Sequence, residues 1–361
     1  MGSFDLSRLP FCILVSLGVS ASRAISLPTG IDAGRMRDKS RPSRWTLASG
    51  SARMGKNKAS SRQAKMQYSA HAPFVAPARP RSELWRLLLG LLLTAIVYAL
   101  GVAAIFGLVV LWSGIDGARS WLRELSGSAG PTGTILLLAT FVGMALGPML
   151  AVRVLHRRTV QSLFGPTGQL FRDFGLAFLI CAVVFAVTAL VPTPNLTPLP
   201  NTEMSLWLSF LPLALVGVLI QTGAEEVLFR GYMQQQLAAR FSSPIMWMVL
   251  PSAIFAGLHY QPEIMGDNTW LMMAAVFVFA LLAADLTAVT GNIGAAWSMH
   301  FVNNALAILL VATEGPLSGL ALYVAPILPS SEEIRPLFYL DIATTVALWA
   351  VIRLVVRRQA A

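Results

Sequence analysis

Charge and cysteine are what this chain has least of. Only 12% of its 361 residues are Asp, Glu, Lys or Arg, against 55% hydrophobic residues, and so sparse a charge complement excludes an ordinary soluble domain. There are two cysteines, Cys12 and Cys181, which rules out a disulfide framework, and no Cys pair has metal-binding spacing. Cys181 lies in the apolar run Leu179-Ile180-Cys181-Ala182-Val183 and reads as a small buried hydrophobe rather than a nucleophile. No strong internal repeat is visible.

The positive charge that exists is unevenly placed. The formal net charge is +10, yet thirteen of the basic residues, from Arg35 to Arg86, crowd the first quarter of the chain. Such a segment is a basic tail drawn to anionic lipid headgroups, or a solvated arm, rather than a nucleic-acid surface. Residues 1–82 are therefore expected to lie outside the fold and residues 83–361 to form a transmembrane domain. Arg8 and the run 11–19 resemble a signal peptide, but its cleavage would export the basic stretch, against the positive-inside tendency. A translation start at Met54 or Met66, or an N-terminal targeting peptide, fits the composition better.

A membrane span needs about 20 mainly apolar residues. Eight stretches meet that within boundary error, namely 86–113, 133–154, 173–191, 205–226 or beyond, 245–261, 270–289, 293–313 and 337–356. Arg79, Arg81 and Arg86 precede the first stretch, Arg153, Arg157 and Arg158 follow the second, Arg230 and Arg240 the fourth, and Arg357 and Arg358 the eighth. The loops 192–203 and 261–269 carry no Lys or Arg, so both termini are expected on the cytoplasmic side. Segment 317–328, interrupted by Gly319 and Pro326, is too short to cross and reads as interfacial or re-entrant. The expected fold is an all-α polytopic integral membrane protein.

Three polar islands interrupt the apolar runs: Glu225, Glu226 and Arg230; His259; and His300 with Asn304. Ionisable groups at membrane depth are costly and mark function by default. They can meet only if the fourth helix continues to about Arg240, since roughly 30 residues at 1.5 Å each span about 45 Å and bring Glu225 near the middle. Gln234, Gln235, Gln236 and Arg240 would then reach the headgroups, and the polar cavity would lie inside the membrane.

The spacings suggest chemistry. Glu226 and Arg230, four apart on a helix, face each other as an ion pair, which leaves Glu225 free as general base for a water that His259 shares. His300 and Asn304, also four apart, suit two donors converging on an oxyanion. Glu225, His259 and His300 equally make a two-histidine, one-carboxylate zinc set, although no His-Glu-x-x-His element exists; metal-free water activation is preferred. The plainer readings are packing histidines, a structural Glu226–Arg230 tether, Asn303 and Asn304 as helix glue, and Asp285 as an interfacial cap.

Taken in order, Glu225-Glu226-x-x-x-Arg230, Phe255-x-x-x-His259, and His300-x-x-x-Asn304 after Gly291-Asn292-Ile293-Gly294-Ala295-Ala296-Trp297 resemble the CPBP (Abi) family of intramembrane proteases, which includes the type II CAAX prenyl endopeptidases. The resemblance covers about 205–313. It implies a helical membrane fold that hydrolyses peptide bonds of membrane-associated substrates, with Glu225 and His259 activating water, His300 and Asn304 stabilising the oxyanion, and Glu226 and Arg230 in support. It leaves the zinc question open and implies no particular substrate. The short-loop plan is bacterial in style, so the expected location is the cytoplasmic (inner) membrane, with membrane lipids as partners and no nucleic acid. Functions of another class that the same residues would allow are a transporter or proton relay and a non-catalytic scaffold.

Overall fold

The computed structural model describes residues 68–126, 130–188, 198–313 and 317–360. The chain is helical nearly throughout. The long helices are α1 (Leu84–Ser126), α2 (Pro131–Val154), α3 (Thr167–Thr188) and α4 (Met204–Glu226), the last of which continues through a π-helical stretch (Val227–Gln234) into the short α5 (Gln235–Arg240). After α6 (Leu250–Gly257) come α7 (Thr269–Thr290), α8 (Gly294–Ala305) and α9 (Arg335–Ala360). Six helical segments are long and apolar enough to cross a membrane. The other two expected spans are shorter, with an apolar helix over Ile245–Gly257 and one over 294–310. The first span was expected to end at residue 113, and the helix is broken there by Gly114, whose φ of 71° takes it out of helical geometry.

The continuation of the fourth helix is present as a single 37-residue run, Met204–Arg240. Gly231, within this run, is a point of close approach: a Cβ there would lie 2.5 Å from the Leu163 carbonyl oxygen. Only hydrogen at that position lets the loop after α2 pack against the helix.

Three small strands join the ends of the bundle. β1 (Leu199–Pro200) pairs antiparallel with β3 (Tyr323–Ala325), which pairs in parallel with β2 (Val311–Thr313), giving the order β1-β3-β2. Segment 317–328 thus supplies a strand rather than a re-entrant piece; Leu320, Ala321 and Ala325 are buried in it. Because β1 precedes α4 and β2 follows α8, the start of α4 lies beside the end of α8 and the two helices run antiparallel. The Trp207 indole donates to the Leu309 carbonyl at 2.8 Å and the Trp297 indole to the Leu219 carbonyl at 3.2 Å, two cross-links along that seam.

Helix α8 is the centre of the molecule. Ala295, Ala296 and Met299 pack with Cys181 of α3, Leu286 of α7 and Ile352 of α9. Small residues on α8 bring these helices close enough for van der Waals packing to hold them, as membrane helices require where lipid competes for apolar contact. Cys181 is buried and free, as expected. Asp285 differs from expectation. It accepts from Arg353 Nε at 2.6 Å and Trp349 Nε1 at 2.9 Å, so it ties α7 to α9 rather than capping a helix at the interface.

The fold begins earlier than residue 83. Residues His71–Val75 and Ala76–Arg81 are helical and bury His71, Phe74, Val75 and Ala78. Phe74 and Val75, apolar positions in a basic stretch, give this segment an inward face that the charge count obscured. Expectations for residues 1–67 lie outside the described residues. The segment also corrects the expectation for the glutamines. Gln234, Gln235 and Gln236 are buried, donating respectively to the Ala284 carbonyl, to the Phe74 and Ser162 carbonyls, and to His156 Nδ1. They are internal ties because residues 71–81 and the loop after α2 cover that end of the helix. Each amide nitrogen is satisfied, whereas the Gln234 and Gln236 Oε1 atoms are buried without a partner among the described residues.

Candidate active site

The Glu226 carboxylate is the anchor. It is fully buried, and its Oε1 accepts from Arg230 Nη1 at 2.9 Å one helical turn on, the pairing expected from their spacing. The remaining Arg230 nitrogen, Nη2, donates to the Ala280 carbonyl at 3.2 Å, and the guanidinium carbon lies 5.1 Å from the centre of the Phe255 ring. An ion pair so deep is held by several contacts at once, as buried charges require.

His300 reaches the same carboxylate from α8. Its Nδ1 donates to Glu226 Oε1 at 2.8 Å, while Nε2 lies 3.4 Å from Glu225 Oε2. The imidazole therefore bridges two adjacent glutamates, one sealed in the protein and one partly exposed. The contact with Glu226 is not legible in the sequence, where spacing pairs His300 with Asn304 and the alternative zinc set joins it to Glu225 and His259.

His259 follows the end of α6. Its Nδ1 donates to the Phe255 carbonyl at 2.8 Å, which leaves Nε2 as the ring's free acceptor in the neutral form. Phe255 holds the group together, with its ring 4.8 Å from His259, 4.9 Å from Phe229 and 6.2 Å from His300. Asn304, one turn beyond His300, donates through Nδ2 to Gln221 Oε1 at 2.9 Å, and Gln221 in turn lies one turn before Glu225.

Glu225, His259, His300 and Asn304 all line one cavity of about 280 Å³, whereas Glu226 and Arg230 stand behind its wall. Leu137, Phe141, Met272 and Phe279 supply apolar surface. Gln221, Gln261, Asp341 and Thr345 also line it and were missed from the sequence. The signal available for Asp341 was an acid within an apolar span, and for Gln221 its place one turn before Glu225. As for metal, no three His, Cys, Asp or Glu side chains among the described residues are grouped to hold an ion, so the Glu225, His259 and His300 set does not fit one as it stands.

Comparison with known proteins falls on this same region. Residues 206–306 match the family model described as type II CAAX prenyl endopeptidase Rce1-like. This segment is Rce1-like. It takes in nearly all of α4, its continuation, α6 with His259 just after it, and α8 with His300 and Asn304, which agrees with the CPBP resemblance read from the motifs. The uncharacterized protein YyaK of Bacillus subtilis (strain 168) is 23% identical over 252 residues, covering 68% of this chain and 84% of its own length. No solved structure matches the chain at a significant level. The Rce1-like match and the six long apolar helices make the chain a multi-pass integral membrane protein.

Proposed function

We propose that this protein is an intramembrane endopeptidase that hydrolyses peptide bonds of membrane-associated peptides or proteins with a water activated by Glu225 and His259. The observation that carries the reading is the convergence of Glu225, His259, His300 and Asn304 on one cavity. His259 Nε2 orients the water, and Glu225 takes its proton as the oxygen attacks the scissile carbonyl. The carbonyl π electrons move to oxygen, and the resulting oxyanion is met by Asn304 Nδ2 and His300 Nε2. Glu225 then returns the proton to the departing amine, the C–N bond breaks, and acid and amine leave.

Two contacts must be exchanged for this to happen. Asn304 leaves Gln221 and His300 Nε2 leaves Glu225, each giving up one acceptor for the oxyanion. Glu226 and Arg230 do not touch substrate in this scheme; Glu226 fixes the ring of His300 through Nδ1 and keeps Nε2 aimed at the cavity. No metal takes part. The arginines beside the first, second, fourth and eighth expected spans support an orientation with both termini cytoplasmic, and the short loops a bacterial inner-membrane location. The test is cleavage of a peptide library by the purified protein in lipid, with and without chelator. Cleavage by wild type and none by Glu225→Ala supports the reading, and equal cleavage by both overturns it.

A further inference from the structure

One acid in the cavity has no place in that mechanism. Asp341 lies on α9, within the span Glu332–Val356, and lines the cavity together with Phe338 and Thr345. Their spacing of three and four residues puts them on one helix face, on which Thr345 is buried, Phe338 half-buried and Asp341 exposed, while Tyr339 and Leu340 are 60% and 53% exposed. Among the described residues, Asp341 makes no hydrogen bond or ion pair. An ionised carboxylate at membrane depth is costly unless a cation or polar surroundings compensate.

The cavity offers it no resident cation. Among the described residues no Lys or Arg lines it, and Arg230 is committed to Glu226 behind the wall. The titratable groups on the other walls are Glu225, His259 and His300. His300 is turned to the two glutamates and His259 Nδ1 is bound to a backbone carbonyl. The side of the cavity formed by α9 is thus a negative, unpartnered surface facing the reaction centre, built from a helix that lies outside the Rce1-like match.

We propose that Asp341 is the specificity determinant of this site and seats a cationic group of the substrate, a lysine or arginine side chain close to the scissile bond. This rests on the protease reading for its setting, but the recognition itself is a binding event. A basic side chain entering the cavity would pair with Asp341, and a like charge at the same place would be repelled. Acidic residues at the same substrate position would meet two carboxylates and be excluded.

The experiment uses matched peptides that differ at one position, carrying lysine, acetyl-lysine, norleucine or glutamate. Binding is measured to the full-length Glu225→Gln protein in lipid nanodiscs, and cleavage separately with wild type. The lysine peptide is expected to bind on the order of tenfold to a hundredfold more tightly than the acetyl-lysine and norleucine peptides, with glutamate weakest. Asp341→Asn should bring the lysine-to-norleucine ratio close to one in both binding and kcat/KM, and Asp341→Lys should favour glutamate. The acetyl-lysine comparison needs no change at Asp341, so a poorly folding variant does not decide the matter. Equal binding of lysine and acetyl-lysine peptides would overturn the proposal, as would a fall in kcat for Asp341→Asn that is the same on lysine and norleucine peptides. Selective binding without any cleavage by wild type would uphold cation recognition and overturn the protease reading instead.

Discussion

His300 Nδ1 lies 2.8 Å from Glu226 Oε1, joining two helices across 74 residues of sequence. The carboxylate also receives Arg230, so a group with no access to the cavity sets the orientation of one that lines it. Glu226 and Arg230 therefore divide from Glu225 in what their loss should do.

Arg230→Ala leaves Glu226 buried with only His300 as partner. Breaking a buried pair by removing one member costs about 3 to 5 kcal/mol, so the yield of folded protein should fall along with activity. Glu225→Gln keeps shape and volume and removes only the base, so its yield should stay near wild type while cleavage is lost. Size-exclusion yield after membrane extraction, set beside peptide cleavage, separates the two. Equal yields would contradict the division of roles.

This pairing illustrates what the sequence could and could not reveal. Glu226 and Arg230 are one turn apart on one helix, so their contact follows from helical geometry alone. The bridge from His300 to both glutamates depends on how α8 packs antiparallel to α4, which no local spacing encodes. The same limit explains the glutamines, since Gln234 to Gln236 look like a polar helix end until residues 71–81 are seen to cover them. Asp341 was hidden for a different reason: in a mostly apolar span a single acid raises no periodic signal, and only its neighbours in space show that it faces the cavity.

Asn304 makes a hydrogen bond to Gln221 that the proposed reaction exchanges for the oxyanion. Loss of one such donor typically lowers turnover about 100-fold to 1000-fold. Asn304→Ala should therefore retain measurable cleavage, with the loss in kcat rather than KM, whereas Glu225→Ala should fall to background. Steady-state kinetics on one peptide decides it, and an effect confined to KM would remove Asn304 from the oxyanion role.

Gly223 of α4 lies against Trp297 of α8. A Cβ there would fall 2.6 Å from Cζ2 of Trp297, a ring whose Nε1 also donates to the Thr222 hydroxyl at 3.2 Å. Gly223→Ala forces ring or helix to shift, and overpacking of this kind costs about 1 to 3 kcal/mol. Thermal unfolding in detergent should show a lower midpoint, and activity should fall because the shift spreads to Glu225 two residues away. A midpoint equal to wild type would mean that the seam is looser than its contacts imply.

His71 carries a pH dependence that lies outside the spans. Burial lowers its pKa from 6.5 to about 4, and its Nε2 has no hydrogen-bond partner among the described residues, while the ring sits 4.7 Å from Trp247. Below pH 6.5 the unfolded chain takes up a proton that the folded chain refuses until about pH 4, so stability falls as pH drops through that window and levels off beneath it. The full effect is about 3 kcal/mol. His71→Phe keeps an aromatic ring against Trp247 and should flatten the decline. His156, lowered first by burial and then by Arg158 and Arg86, leaves a smaller slope in place. Melting curves from pH 4 to pH 7.5 check this, and identical slopes for wild type and variant would refute it.

Hydrolysis is expected to proceed without a bound metal, because no three His, Cys, Asp or Glu side chains among the described residues are grouped to hold one. A zinc site of two imidazoles and a carboxylate needs a lone pair from each ring. His300 turns Nδ1 to Glu226 at 2.8 Å, while its Nε2 lies 3.4 Å from Glu225 Oε2, so the two side chains face each other directly. His259 retains Nε2 alone, and Asn304, the remaining polar group on the α8 face, presents an amide already acting as donor to Gln221. Active protein purified without added metal should therefore contain no stoichiometric zinc by elemental analysis and should keep its cleavage rate in chelator. One zinc per chain, lost together with activity on Glu225→Ala, His259→Ala or His300→Ala, would replace the water-activating glutamate with a metal-bound water.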